Sequence, residues 1–226
     1  MAGCSVGEIA AWHVAGRFDA LTAFDLVGAR ADAMDAASGG DEAMLFVRGL
    51  CRSKLEALCA QYEAAVAIVN PGYAHVVAGV AHALPALADA ARAQGATRVV
   101  PVPVHIASHT PRLAAAVPVF RAALDAVPLA RGEAGTRLFS GIDGAAVLDA
   151  RAGLDKLARQ LAEPVDWAAC LAGCVEAGAS AFLELGPGRA LADMAAATYP
   201  AIPARSLTDF HSWDGVDTWL ARVAVA

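Results

Sequence analysis

Between residues 42 and 105 the pattern changes period, short strand-like stretches alternating with helical ones, and that alternation limits the folds open to the chain. Residues 43–47 read as a strand, 53–62 as a helix and 65–70 as a second strand. Asn70-Pro71-Gly72 then turns the chain. Residues 75–79 read as a strand, 82–93 as a helix and 97–104 as a strand, so the order is β-α-β-β-α-β.

That order is the split unit of ferredoxin-like domains. On either side the alternation is longer. A helix over 6–13 follows directly on a Gly-rich turn, and a second runs over about 19–37 until Ser38-Gly39-Gly40-Asp41 breaks it. Beyond residue 105 the pattern gives a helix from Pro111, a strand over 137–140, helices near Gly153 and Trp167, a strand over 181–185 and a helix after Gly188. Residues 41–105 therefore read as a small subdomain inserted into a larger α/β core made of 1–40 and 106–226, with a cleft between them of the kind that holds small molecules.

The chain has 226 residues, 58% of them hydrophobic and 18% charged, enough to bury a sizeable core, and disorder is excluded. No apolar run reaches the roughly 18 residues of a membrane helix, and the N-terminus lacks the basic flank of a signal peptide, so no membrane association is expected and the cytoplasm is the expected location. A formal charge of −6 without any Lys/Arg cluster argues against nucleic acid. An acidic partner would need a local basic patch, for which Arg112, Arg121 and Arg131 are the candidates. The five cysteines are odd in number and contain no C-x-x-C, which points to reduced, mostly buried thiols and to no zinc site.

Gly3-Cys4-Ser5-Val6-Gly7 fits G-x-S-x-G, the sharp strand-to-helix elbow that presents a nucleophilic serine. Side chains two residues either side of the serine would collide in so tight a bend, and the Val6 N–H at the start of the helix can stabilise an oxyanion. The same glycines would also serve a plain tight turn. A serine nucleophile needs a base, and His109 is the best placed of the six histidines, just before Thr110, an N-cap candidate, and Pro111. A structural histidine at a strand end fits that position as well. Arg30 has Leu26, Val27, Ala33 and Met34 as its helical neighbours, so it lies on an apolar face and needs an anion. A protein carboxylate and a substrate carboxylate both answer that need.

Taken in order, GCSVGEIAAW, GARADAM around Arg30, VNPG, VPVHIASHTPRL, RQLAEPVDW and LELGPGRAL resemble the malonyl-CoA:acyl carrier protein transacylase family over nearly the whole chain. The resemblance implies that Ser5 forms the acyl ester, His109 is the general base, Arg30 grips the malonyl carboxylate and Gln160 lies beside the histidine, which a main-chain carbonyl orients. Transfer would be ping-pong, from coenzyme A to Ser5 and on to the thiol of an acyl carrier protein, with no metal and no cofactor beyond the thioester substrate. The expected fold class is α/β, an α/β-hydrolase-like core with the inserted ferredoxin-like subdomain. GCSVGE, MDAASGG, SGIDG and GLDKLARQ look most like the epsilon subunit of bacterial malonate decarboxylase, which implies that complex's carrier and other subunits as partners. The fatty-acid synthesis transacylase is the alternative.

The sequence departs from the family pattern at three places. Cys4 stands where the family pattern GHSxGE has histidine, and Ser108 stands where many malonyl-selective polyketide acyltransferases have phenylalanine, which leaves branched acyl groups open. The family also carries an N-terminal stretch with a first strand and a G-Q-G loop, whereas this chain starts four residues before Ser5. The expectation is an N-terminally truncated core with unpaired backbone, poor stability and feeble activity. A serine hydrolase and an inactive binding module are the competing classes, and Arg30 separates the first of these from a malonyl enzyme.

Overall fold

A computed structural model describes residues 1–224. By contacts, the chain divides into two compact units, 1–170 and 171–226, with the division inside one helix.

The first unit opens with α1 (Gly7–Val14) and α2 (Ala20–Ala37), the latter N-capped by Asp19, whose carboxylate accepts the Thr22 N–H at 2.8 Å. There follow β1 (Glu42–Arg48), α3 (Arg52–Cys59), β2 (Ala64–Asn70), β3 (Ala74–Val80), α4 (Leu84–Ala93) and β4 (Arg98–Val102). The β-α-β-β-α-β order is the one the hydrophobic periods predict. The strands form one sheet in the order β4-β1-β3-β2, each neighbouring pair antiparallel. A two-residue strand from the later chain, β5 (Val165–Asp166), joins β2 in parallel and extends the sheet to five strands. Residues 41–105 thus lie within the first unit and share their sheet with a segment some sixty residues further on.

Alternation along the strands gives the sheet two unlike faces. Leu45, Val47, Val66 and Val77 face α3 and α4 and bury Leu55, Leu58, Leu87 and Ala91. The opposite face carries Met44, Ala67 and Ala78, and against it packs Ala107, two residues before His109. Two alanines at the centre of that face let a main-chain loop lie directly on the sheet, where larger side chains would hold it off. Glu42 fixes the loop further. Its buried carboxylate accepts the Ala107 N–H at 2.9 Å, the Ser38 hydroxyl at 2.8 Å and the Arg112 Nε at 2.9 Å.

The chain continues with a 3₁₀ turn (Pro111–Leu113), α5 (Ala116–Asp125), α6 (Ala150–Arg159), β5 and α7 (Trp167–Glu176). Trp12, Leu26, Phe120, Leu124, Leu154 and Leu157 bring α1, α2, α5 and α6 together in a helical core. The helix expected from Pro111 is therefore a single 3₁₀ turn, and the α-helix starts only at Ala116. The strand expected over 137–140 does not form. Its backbone bonds go instead to Met1, through the Phe139 N–H at 2.9 Å, and to the turn at 145–147, leaving an isolated bridge from Phe139 to Ala146.

In the second unit β6 (Phe182–Glu184), α8 (Ala190–Thr198) and β7 (Ala204–Ser206) form a parallel β-α-β unit, followed by α9 (Trp213–Val223). Ser212 caps α9 by accepting the Gly215 N–H at 3.2 Å, and Trp219 packs edge-on against Phe210. No helix among the described residues is long and apolar enough to cross a membrane.

Burial opposes the charge on Glu42, but its hydrogen bonds to Ala107, Ser38 and Arg112 outweigh that and hold its carboxyl below the usual 4.5. Glu42→Ala strands the Ala107 N–H and frees the Arg112 fork, so we expect a loss of about 2–4 kcal/mol in urea unfolding at pH 7. Because the depressed pKa stabilises the fold only above the unfolded value, the gap between variant and parent closes as the pH falls below about 4.5.

Candidate active site

Ser5 sits half-buried on the turn that launches α1, with φ at +54°. The turn passes straight into the helix, the Gly7 N–H donating to the Cys4 carbonyl and the Glu8 N–H to the Ser5 carbonyl, both at 3.0 Å. A Cβ on Gly3 would lie 2.1 Å from the Gly7 carbonyl oxygen, so this position admits glycine alone. Gly7 differs from the expectation that both glycines are sterically needed, since a Cβ there meets nothing within 4 Å. The crowding in the elbow is one-sided, because it arises from Gly3 lying on the backbone of residue 7. Val6 is exposed at the N-cap of α1, and its N–H has no hydrogen-bond partner among the described residues.

His109 lies in the loop after β4, buried, with φ at +64°. Two non-glycine residues with left-handed backbone thus face each other, a conformation that persists only where its surroundings dictate it. The surroundings here are hydrogen bonds. The His109 N–H donates to the Leu161 carbonyl at 2.9 Å, Nδ1 lies 2.6 Å from the Gln160 carbonyl oxygen, and Nε2 lies 2.7 Å from the Ser5 Oγ. A carbonyl oxygen can only accept, so Nδ1 carries the proton and Nε2 offers its lone pair to the serine hydroxyl. Thr110 does not cap the following turn as expected. Its hydroxyl donates to the Ala107 carbonyl at 2.7 Å and tightens the loop that carries His109.

Arg30 is buried on α2, and its Nη2 donates to Ser5 Oγ at 3.1 Å. No carboxylate pairs with it among the described residues, and its Nε is buried without a partner. The internal ion pair left open by the sequence does not form. Burial draws the guanidinium pKa down to about 10 against the opposing charge of Glu8, so it is charged at neutral pH with no carboxylate in direct contact among the described residues. Burial, with Arg30 adding to it and the Gln160 carbonyl opposing, brings His109 down to about 4, which keeps the imidazole a neutral base.

Ser5, His109, Arg30 and Gln160 therefore converge from four separate segments. The sequence reading overlooked Glu8. It is fully buried in the first turn of α1, and its Oε2 accepts both the Gly141 N–H at 2.8 Å and the side-chain amide of Gln160. Burial, more than any neighbour, raises its carboxyl to about 7. The available clue was an acid followed by Ile9, Ala11 and Trp12 on a face with no room for solvent. Of the five cysteines only Cys59 and Cys170 are buried, fewer than expected. Arg112 and Arg121 are each paired within the chain, with Glu42 and Asp125, whereas Arg131 is exposed. Two surface cavities, of about 300 and 380 Å³, are lined by residues such as Tyr73 and His75 or Leu84 and Pro101, and neither includes Ser5, Arg30 or His109.

No family model matches the chain. It is 33% identical over 218 residues to the malonyl CoA-acyl carrier protein transacylase of Mycobacterium bovis, a match covering 92% of this chain and 68% of that protein. This chain belongs to the malonyl CoA-acyl carrier protein transacylase family. As a transacylase of that family it is an S-malonyltransferase. The acyl-carrier-protein S-malonyltransferase of Burkholderia pseudomallei shares its fold with a TM-score of 0.88 and 29% identity, over 97% of this chain and 72% of that one. A malonyl-transacylase solved in complex with a type II polyketide acyl-carrier protein gives a TM-score of 0.87 and 28% identity, over 93% of this chain and 69% of that one.

Arg30 disfavours the imidazolium form of His109, so its removal must raise the histidine's pKa. We expect Arg30→Ala to move the His109 titration from about 4 toward, but not to, the ordinary 6.5, as read by NMR titration of its ring nitrogens. An unchanged midpoint would show that burial alone sets the value.

Proposed function

We propose that this transacylase moves malonyl from malonyl-CoA to the thiol of an acyl carrier protein through an ester on Ser5. The observation that carries the reading is Arg30, a buried cation within hydrogen-bond reach of the nucleophile, with no carboxylate in direct contact and its Nε without a partner. A free carboxylate on the acyl group supplies the missing anion, and the planar guanidinium can hold it at two points. A general serine hydrolase has no use for such a group.

The chemistry then follows from the distances. His109 Nε2 takes the Ser5 hydroxyl proton as the oxygen attacks the thioester carbonyl, and the Val6 N–H stabilises the oxyanion. The carbon–sulfur bond breaks, and the imidazolium returns the proton to the departing thiolate of coenzyme A. The carrier thiol reverses these steps: it loses its proton to His109, attacks the Ser5 ester and leaves with the malonyl group. Substrate binding also adjusts the base. A carboxylate on Arg30 offsets the cation that depresses His109 and brings its pKa nearer to the pH at which it must work.

We read the sheet of residues 41–105 as the ferredoxin-like subdomain and the elbow-bearing remainder as an α/β-hydrolase-like core. The carrier we assign is the carrier subunit of malonate decarboxylase, on the strength of the MDAASGG, SGIDG and GLDKLARQ segments. The carrier of fatty-acid synthesis is the second reading, favoured by the names of the relatives.

Radiolabelled malonyl-CoA should label Ser5, and Ser5→Ala should abolish the label. Arg30→Ala should lower malonyl loading by about a hundredfold, the equivalent of about 3 kcal/mol for a charge-assisted pair, and leave acetyl loading the same or faster. Unchanged malonyl selectivity in that variant would sink the carboxylate assignment. Chasing the labelled enzyme with each purified carrier identifies the acceptor by which protein takes the label.

A further inference from the structure

We infer that Glu8 is a positioning residue for catalysis, a buried carboxyl that fixes Gln160 and, through it, the carbonyl that orients His109. The inference rests on the reading of Ser5 and His109 as nucleophile and base.

Glu8 lies three positions after the nucleophile, in the first turn of α1. An acid there ordinarily caps or complements its own helix. Glu8 does neither. Its Oε2 reaches across the core to two donors, the Gly141 N–H at 2.8 Å and the Gln160 Nε2, far removed in sequence. Glu8 and Gln160 are both fully buried. A carboxyl taken out of water costs several kcal/mol unless its partners repay it, and here the indole nitrogen of Trp12 adds only a nearby dipole without hydrogen-bonding geometry. A group kept at such a cost has a task.

The task is legible in the circuit the bonds complete. The Gln160 carbonyl holds His109 Nδ1 at 2.6 Å, and His109 Nε2 meets Ser5 Oγ at 2.7 Å. The elbow leads from Ser5 into α1 and Glu8, and Glu8 holds the Gln160 side chain. Nucleophile, base, orienting residue and carboxyl thus form one closed ring. Gly141 keeps the ring tight: a Cβ there would lie 2.5 Å from Gln160 Nε2 and 2.6 Å from Glu8 Oε2, and its own carbonyl is fastened by the Asp166 N–H at 2.8 Å. With Glu8 absent, residue 160 keeps its place at the C-cap of α6 but loses the side-chain tether that steadies its carbonyl. A displacement of about 1 Å at such a contact costs about a hundredfold in rate.

The test compares Glu8→Ala with Glu8→Gln, whose side-chain carbonyl still accepts both N–H groups. Two rates are read: Ser5 acylation by malonyl-CoA, and Ser5 labelling by a fluorophosphonate, which needs the serine and its base but no carboxylate site. Glu8→Ala should lower kcat and the labelling rate together by about 10- to 100-fold while KM for malonyl-CoA stays within about twofold. Glu8→Gln should restore both to within about threefold of the parent. A folded Glu8→Ala protein with an undiminished labelling rate overturns the inference, as does a Glu8→Gln protein no faster than Glu8→Ala. Should Glu8→Ala not fold, Gln160→Met takes its place, since it keeps the carbonyl that binds His109 and removes only the amide that Glu8 holds. The same loss of rate supports the inference, and an unchanged rate overturns it. Normal fluorophosphonate labelling of a parent enzyme that takes no malonyl would instead sink the malonyl reading and leave the Glu8 comparison intact.

Discussion

With a carbonyl oxygen 2.6 Å from Nδ1, His109 has one neutral tautomer open to it, and the orientation of its ring follows. A carboxylate in the same place would also fix the tautomer, but it would stabilise the imidazolium as well and raise the basicity of the ring. The carbonyl of Gln160 is a weaker partner, and burial with Arg30 nearby leaves the imidazole neutral over the whole physiological range. The site is therefore ready to take a proton without first losing one. Its weakness as a base is the corollary, and burial, more than Arg30, is the cause.

Neither Ser5 nor His109 is held by its own secondary structure. Each sits in a left-handed conformation just outside a regular element, and in each the constraint comes from neighbours. For Ser5 it is the contact of Gly3 with the backbone of residue 7. For His109 it is a loop fastened at one end by Glu42 on Ala107, pressed against a sheet face of Met44, Ala67 and Ala78, and held at the other by the carbonyls of residues 160 and 161. The five-stranded sheet contributes no catalytic side chain. Its part is to present a face of small residues where the loop crosses it.

The strands of residues 42–105 were legible in the sequence because a sheet covered on both faces needs short apolar runs, and those at 43–47 and 65–69 stand between turn and helix signals. Arg30 was legible for a related reason, being a charge on an apolar helical face. The two-residue β5 and the absent strand at 137–140 were not. Their state depends on which distant backbone lies alongside, and no local periodicity records that. α9 could have been found from Ser212 and the spacing of Val216 and Trp219. Glu8 is the instructive case. Its neighbours in sequence announce burial, but its partners are Gly141 and Gln160, and nothing near residue 8 names them.

Cys4 stands one peptide bond from Ser5, and a thiol is the softer and ordinarily the faster of the two groups toward an electrophile. Partial burial, reinforced by Glu8 and opposed by Arg30, raises its pKa to about 11. At pH 7 the thiolate is then about one part in ten thousand of the population. Alkylating agents that reach this turn meet a largely protonated thiol beside the Ser5 hydroxyl. The chain can therefore carry a cysteine next to its serine with little thiolate to compete for an electrophile.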